Sequence, residues 1–160
     1  MLAQRRPAPS ATVSGQLYLN GSAADALTLR RVSAYVEQED ALIGSLTVRE
    51  TLEFAARLSL PSSVKATVRQ RRVQSLLKAF GLSDQAEDLI GTPVRKGISG
   101  GQKRRLSVAS QLITGPKILF LDEPTSGLDS AAAFEVVRFL KDLVKSHNVC
   151  MYDTEIVDSY

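Results

Sequence analysis

Lys117-Ile118-Leu119-Phe120-Leu121-Asp122-Glu123-Pro124 is the stretch whose reading decides the fold. Its four apolar residues run without alternation, the pattern of a short strand buried on both faces of a parallel sheet. The strand closes on two adjacent carboxylates, and ligands of open parallel sheets bind at the carboxyl ends of strands. Neighbouring side chains on a strand point to opposite faces, so Asp122 and Glu123 can take different roles. One can hold a divalent metal, directly or through water, while the other orients or deprotonates an attacking water. Taken alone, the pair is equally explained as a solvated strand end or a helix cap.

Working upstream, Ile98-Ser99-Gly100-Gly101-Gln102 opens a basic helix whose Leu106, Ala109, Leu112 and Ile113 face inward, with a stop at Gly115-Pro116. Two glycines let backbone amides approach a phosphate, and a helix N-terminus carries partial positive charge. Ser99 is also a good N-cap, so a capped turn accounts for the same letters. Further back, Thr47-Val48-Arg49-Glu50 fits a capping box opening a helix that contains Leu52, Ala55, Ala56 and Leu58 and ends near Pro61. A longer helix from about Val64 carries Val68, Val73, Leu76, Leu77 and Phe80, with Gly81 as its left-handed stop, and Ser83 to Asp88 reads as a short polar turn. Val32 to Val36 reads as a strand, and Gln16 to Leu19 as another that enters a tight turn at Asn20-Gly21. Downstream, Ser130 to Ser146 is a helix with Phe134, Val137, Leu140 and Val144 at helical spacing, and Val149 to Tyr152 a last strand. Alternating strands and helices in the second half predict an α/β domain, and the helices between Thr47 and Asp88 a helical lobe beside it.

Composition excludes several classes. With 160 residues, 44% hydrophobic and 23% charged, the chain suits one ordinary globular domain. Its longest apolar runs span a few residues, against roughly 20 for a membrane-crossing helix. Net charge is +3, concentrated in Arg69-Arg71-Arg72 and Lys103-Arg104-Arg105. Both read as solvated helix faces. No continuous basic stripe or stacking aromatics accompany them, so no nucleic-acid partner is expected. Met1 to Thr12 is basic and free of acids, superficially like a transit peptide, but Pro7 and Pro9 interrupt any amphipathic helix. The single cysteine, Cys150, reads as a small core residue, and an internal disulfide is ruled out.

Together the motifs say more than each alone. Ile-Ser-Gly-Gly-Gln-Lys-Arg-Arg, with Ser99 lying 23 positions before Asp122, and then Leu-Phe-Leu-Asp-Glu-Pro-Thr-Ser-Gly-Leu-Asp resembles the ATP-binding domain of ABC transporters. Tyr35-Val36-Glu37-Gln38 followed by Leu46-Thr47-Val48-Arg49-Glu50-Thr51-Leu52 is similar to the family's Q-loop and the helical lobe behind it. Details such as Gly-Ile-Ser-Gly-Gly-Gln-Lys-Arg-Arg-Leu-Ser are similar to the half-size G subfamily, the pigment-precursor and sterol type. The likeness runs over about Val13 to Val149.

This resemblance implies a partial P-loop NTPase fold, a parallel sheet core plus a helical signature lobe. Residues 13–46 would form the residual sheet and Q-loop, 47–98 the helical lobe, 99–149 the signature, Walker B and D-loop, and 150–160 a divergent tail. It implies ATP and magnesium as ligands. Asp122 would support the metal, Glu123 would polarise the attacking water, and Gln38 would touch both. Ser99, Gly100, Gly101 and Gln102 would face the γ-phosphate of ATP held by a second nucleotide-binding domain, with Asp129 at that domain interface. A transmembrane domain is the other implied partner, which places the chain at the cytosolic face of a membrane.

Two departures qualify these expectations. The family's Walker A loop, Gly-x-x-x-x-Gly-Lys-Ser/Thr, is absent from the 160 residues. Leu2-Ala3-Gln4-Arg5-Arg6 resembles the final turn of the helix that follows it, so a piece truncated at both ends is expected, with weak ATP binding of its own. The switch histidine is missing as well: Tyr152-Asp153-Thr154-Glu155 continues the last strand, and the single histidine, His147, precedes that strand at a helix end. The alternatives are a non-catalytic module lending its signature loop to a partner, and a soluble ABC protein of DNA repair or translation. The latter is disfavoured by the 61 positions between Gln38 and Ser99, which leave no room for a long coiled coil.

Overall fold

The run Ile118–Leu121 forms the middle strand of a three-stranded parallel sheet, as its unbroken apolar character demands. The structure is a computed structural model, which describes residues 15–39, 41–92, 94–147 and 149–153. The readings placed on Leu2 to Arg6, on the Met1 to Thr12 segment and on the tail beyond Asp153 lie outside those residues.

In chain order the elements are β1 (Leu17–Leu19), β2 (Ser22–Ala24), α1 (Ala26–Val32), β3 (Ser33–Val36), α2 (Val48–Ser59), α3 (Ala66–Ala79), α4 (Gly100–Gln111), a 3-10 turn (Leu112–Thr114), β4 (Ile118–Leu121), α5 (Ser130–His147) and β5 (Cys150–Asp153). β1 and β2 make an antiparallel hairpin in which Leu19 pairs Ser22. Its two loop residues, Asn20 and Gly21, both have positive φ (50° and 79°), the requirement of a type I′ turn. The second sheet runs β3-β4-β5, with Val36 level with Leu121 and Leu121 level with Asp153. Parallel neighbours need crossovers. Helices α2, α3 and α4 lie in the first, and α5 in the second, so all three strands deliver their carboxyl ends to one edge.

The helix starts follow local chemistry. At α2 the Thr47 hydroxyl accepts from the Glu50 amide while the Glu50 carboxylate accepts from the Thr47 amide. At α1 the Asp25 carboxylate accepts from the Thr28 amide at 2.7 Å. The Thr28 side chain first, and its amide second, hold that carboxyl below the ordinary carboxylate value. Helix α3 ends at Phe80, with Gly81 in the left-handed region at φ 59°.

The helical lobe and the sheet share one continuous apolar core. Leu52, Leu77 and Phe80 belong to the same cluster as Leu106, Leu119, Leu121 and Val136. Phe80 meets Phe139 of α5 with ring centroids 4.7 Å apart.

Several sequence expectations are corrected. Helix α1 occupies residues that carried no element, and β3 begins at Ser33 rather than Val32. Leu58 and Val68 are exposed, because each lies off the face by which its helix meets the core. In α5 the inward line is Val136, Leu140 and Leu143, and Phe134, in the second turn, is 68% exposed. Spacing marks a helix face only to within a residue or so, and contact with the core fixes its phase. Cys150 is exposed, not buried: it sits on an edge strand next to the inward-leaning Met151.

Gly97 shows how tightly the approach to α4 is set. A Cβ built there would lie 2.3 Å from the Ile90 carbonyl oxygen and 2.4 Å from that of Leu89. Both contacts are to backbone and cannot yield cheaply. Gly97→Ala is therefore expected to lower unfolding stability by about 1–3 kcal/mol, the range for an overpacked site. Urea denaturation measures this, and an unchanged midpoint would show that the segment relaxes freely.

Candidate functional site

The carboxyl edge of the parallel sheet gathers three of the candidate residues, Gln38, Asp122 and Glu123. Backbone pairing carries one residue past the strands: the Asp122 amide donates to the Val36 carbonyl at 3.0 Å. Gln38 and Glu123, the residues just beyond, are thereby brought together. The Gln38 side-chain amide donates to Glu123 Oε2 at 2.5 Å and to Ser126 Oγ at 3.2 Å. Asp122 accepts a hydrogen bond from the Tyr35 hydroxyl.

Glu123 takes an unusual backbone conformation. Its φ is +43°, the left-handed region that a residue with a Cβ rarely adopts. Such a conformation costs about 1–2 kcal/mol and persists only where neighbours over-determine it. It turns the chain sharply between β4 and Pro124, so the Glu123 side chain leaves the strand line and lies exposed against Gln38.

What holds this turn is Arg104, which sequence reasoning assigned to a solvated basic run. Arg104 is 3% exposed and is the one buried charged residue among the described residues. Its Nε donates to the Pro124 carbonyl at 3.1 Å and its Nη2 to the Asp122 carbonyl at 2.9 Å. Its Nη1 donates to the carbonyls of Glu37 at 2.6 Å and Gln38 at 3.3 Å. One guanidinium thus ties the backbone around Gln38 to the backbone on both sides of Glu123. A signal existed: Arg104 and Val108 of α4 and Leu112 just beyond it recur at four-residue spacing, and all three are buried. Tyr35 and Ser126 were also missed, the first as a partner of Asp122 and the second as a partner of Gln38. Neither carries a mark in the sequence beyond its place beside a motif.

The glycine-rich turn lies elsewhere. Ser99 caps α4: its hydroxyl accepts from the Gln102 amide at 3.2 Å, and Gln102 Oε1 accepts from the Ser99 amide at 2.8 Å. The cap reading of Ser99 is correct. Gly100 and Gly101 follow as the first helical residues, whose amides have no intrahelical acceptor. They abut the start of α5: a Cβ on Gly100 would lie 3.1 Å from Leu128 Cδ2, and one on Gly101 3.8 Å from Ala132 Cβ. Asp129 also caps a helix, its Oδ1 accepting from the Ala131 and Ala132 amides at 3.0 and 2.9 Å. The structure therefore brings Gln38 against Glu123 beside Asp122, and sets the Ser99 to Gln102 turn against the start of α5, which Asp129 caps.

Magnesium is the metal to test against these residues. No group of three or more His, Cys, Asp or Glu side chains arranged to hold a metal occurs among the described residues. Magnesium does not require one, since it takes one or two carboxylates and completes its shell with phosphate and water. Asp122 and the carbonyl oxygen of the Gln38 amide are donors of the right hard-oxygen type, so the residues fit such an ion.

Comparison with known proteins follows the same lines. Residues 3–126 match the family model described as ABC transporter. "ABC transporter G family member 24" of Dictyostelium discoideum is 47% identical over 134 residues, covering 84% of this chain and 12% of that protein. "ABC transporter G family member 17" of Arabidopsis thaliana is 45% identical over 138 residues, covering 86% of this chain and 21% of that protein. The chain thus spans between about a tenth and about a fifth of the length of these relatives. Among solved structures, cbiO1 from Clostridium perfringens, titled as part of the ABC transporter complex cbiONQ, superposes with a TM-score of 0.73. At 24% identity, covering 95% of this chain and 58% of that one, this likeness bears on the fold alone.

Two neighbouring residues should respond to substitution with opposite signs. Arg104→Met removes the donors from several buried carbonyls and should destabilise the chain by about 3 kcal/mol, since each stranded polar group costs roughly 1–3 kcal/mol. Glu123→Gly relieves the left-handed strain and should leave stability unchanged or raised by up to about 1 kcal/mol. Parallel urea titrations decide this. A tolerated Arg104→Met would show that water replaces the clamp.

Proposed function

The chain belongs to the ABC transporter family, and we propose that it contributes the signature loop and the water-activating acid of an ATP-hydrolysing nucleotide-binding domain in a G-type transporter. The observation that supports this most directly is the Gln38–Glu123 contact, held by Arg104 beneath it. A carboxylate paired with a side-chain amide suits the orientation of one water: the acid accepts a proton from the water while the amide fixes the direction of attack. The strained φ of Glu123 agrees with a group placed for chemistry at the expense of local stability.

Asp122, with Gln38, would hold magnesium, which when bound neutralises charge developing on the nucleotide phosphates. Ser99, Gly100, Gly101 and Gln102 would receive the γ-phosphate of ATP carried by an opposing nucleotide-binding domain, and Asp129 would lie at the junction of the two domains. Glycines without Cβ at a helix N-terminus supply the amide donors such an anion needs. The divisions at residues 13–46, 47–98, 99–149 and 150–160 correspond in this proposal to sheet with Q-loop, helical lobe, catalytic half and tail. Among the described residues no helix is long and apolar enough to cross a membrane. In this proposal, attachment at the cytosolic face of a membrane comes through the transmembrane domain of an ABC transporter, and a lipid, sterol or pigment-like substrate would be chosen there.

A second reading has a specific observation behind it. The 160 residues contain no Gly-x-x-x-x-Gly-Lys-Ser/Thr, and the amides and lysine of that loop carry much of phosphoryl-transfer chemistry. On this reading the chain completes a partner's site without catalysis at its own acids.

Calorimetric ATP titration of the chain, alone and mixed with a nucleotide-binding domain that carries a Walker A loop, tests both. Weak or undetectable ATP binding is expected alone, and ATP-dependent association in the mixture. Gly100→Asp places a carboxylate in the first turn of α4, which favours the helix but repels a phosphate. It should weaken the ATP-dependent association at least about 10-fold, equivalent to 1.4 kcal/mol. Association indifferent to Gly100→Asp would sink the role given to the glycine turn. Glu123→Gln should abolish hydrolysis while leaving association intact; undiminished hydrolysis would favour the second reading.

A further inference from the structure

Tyr35 lies on β3 in register with Phe120 of β4. Strand alternation places Phe120 and Asp122 on one face, and therefore Tyr35 on the face from which the Asp122 side chain projects. The Tyr35 hydroxyl uses this placement to donate to Asp122 Oδ2. The Asp122 backbone is already fixed at both ends, its amide donating to Val36 and its carbonyl accepting from Arg104. What the backbone does not fix is the rotation of the carboxylate, which decides where its two oxygens point.

We propose that Tyr35 is a positioning residue, whose hydroxyl sets the rotation of the Asp122 carboxylate for a divalent cation. This rests on the proposed role of Asp122 in holding magnesium. The ring and the hydroxyl of Tyr35 have separable tasks. The half-buried ring packs at the sheet edge, which phenylalanine would do equally well, whereas the hydroxyl donates to Asp122 Oδ2 at the strand end. A partner that orients a metal-binding carboxylate is commonly worth about 10- to 100-fold in metal affinity. A hydroxyl that merely finds the nearest acceptor would show no such effect.

The test uses the full chain labelled with 13C at aspartate carboxyl carbons and Mn2+ alone as a paramagnetic probe. In the parent chain the Asp122 carboxyl resonance should broaden at lower Mn2+ than those of the exposed Asp84 and Asp88. Tyr35→Phe should raise the Mn2+ midpoint at Asp122 by about 10-fold, with little change in melting temperature. Tyr18→Phe, which removes a hydroxyl bonded to Gln16 on the hairpin, should leave the midpoint where it was. An unchanged midpoint in Tyr35→Phe overturns the positioning role and leaves the metal reading of Asp122 standing. No preferential broadening in the parent chain overturns both.

Discussion

A guanidinium buried beneath the carboxyl edge of the sheet is the constraint from which the site follows. Removing a charge from water is expensive, and a buried cation persists only where its donors are well matched. Arg104 meets this condition with carbonyls, from Glu37, Gln38, Asp122 and Pro124, none of which belongs to its own helix. Because guanidinium donors are planar and fixed in direction, satisfying all of them at once dictates the relative positions of two chain segments. The segment leaving β3 and the segment leaving β4 are locked together over a gap of more than 80 positions in sequence.

That lock explains how Glu123 can remain in the left-handed region. Its flanking residues, Asp122 and Pro124, are the ones whose carbonyls Arg104 holds, so the turn is pinned on both sides of the strained residue. The strain, the clamp and the Gln38 contact are parts of one arrangement. Loss of the guanidinium would release the backbone of Gln38 as well as that of Glu123, and the two side chains would no longer share a fixed reference.

Much of this was legible in the residues, for reasons that differ from place to place. Ile118 to Leu121 announces a buried central strand because four apolar residues in a row are stable only with both faces covered. Thr47 with Glu50, and Ser99 with Gln102, announce helix starts because their capping bonds are local and the letters alone specify them. Asp122 and Glu123 stood out as carboxylates closing a buried strand, Gln38 came from resemblance, and the sheet register brings them together. Arg104 was misread because a cation between two others looks solvated, and its partners are carbonyls, which leave no trace in sequence. Asp25 and the short α1 were missed because a seven-residue helix has too little periodicity to announce itself. The phase error in α5 has a third cause: Phe134 and Val136 are both apolar, and only the position of the core chooses between them.

The two candidate surfaces have opposite electrostatic character, and this bears on how they would be used. The start of α4 offers bare amides and the positive end of a helix, and so attracts an anion without help. The end of β4 offers two carboxylates and repels one unless a cation intervenes. A single phosphate could be served by both only if it approached the amides from one side and a metal-supported acid pair from the other. Within this chain the glycine turn packs against Leu128 and Ala132 at the start of α5, whereas Glu123 packs against Gln38 and Ser126. In the proposed sandwich two domains face each other, the amides of one opposite the acids of the other. A two-fold arrangement satisfies this reciprocally, since it repeats the same pair of complementary patches at each site. In the proposed sandwich the rigidity supplied by Arg104 would then matter twice, because α4 carries the amides at its first turn and the clamp within its second.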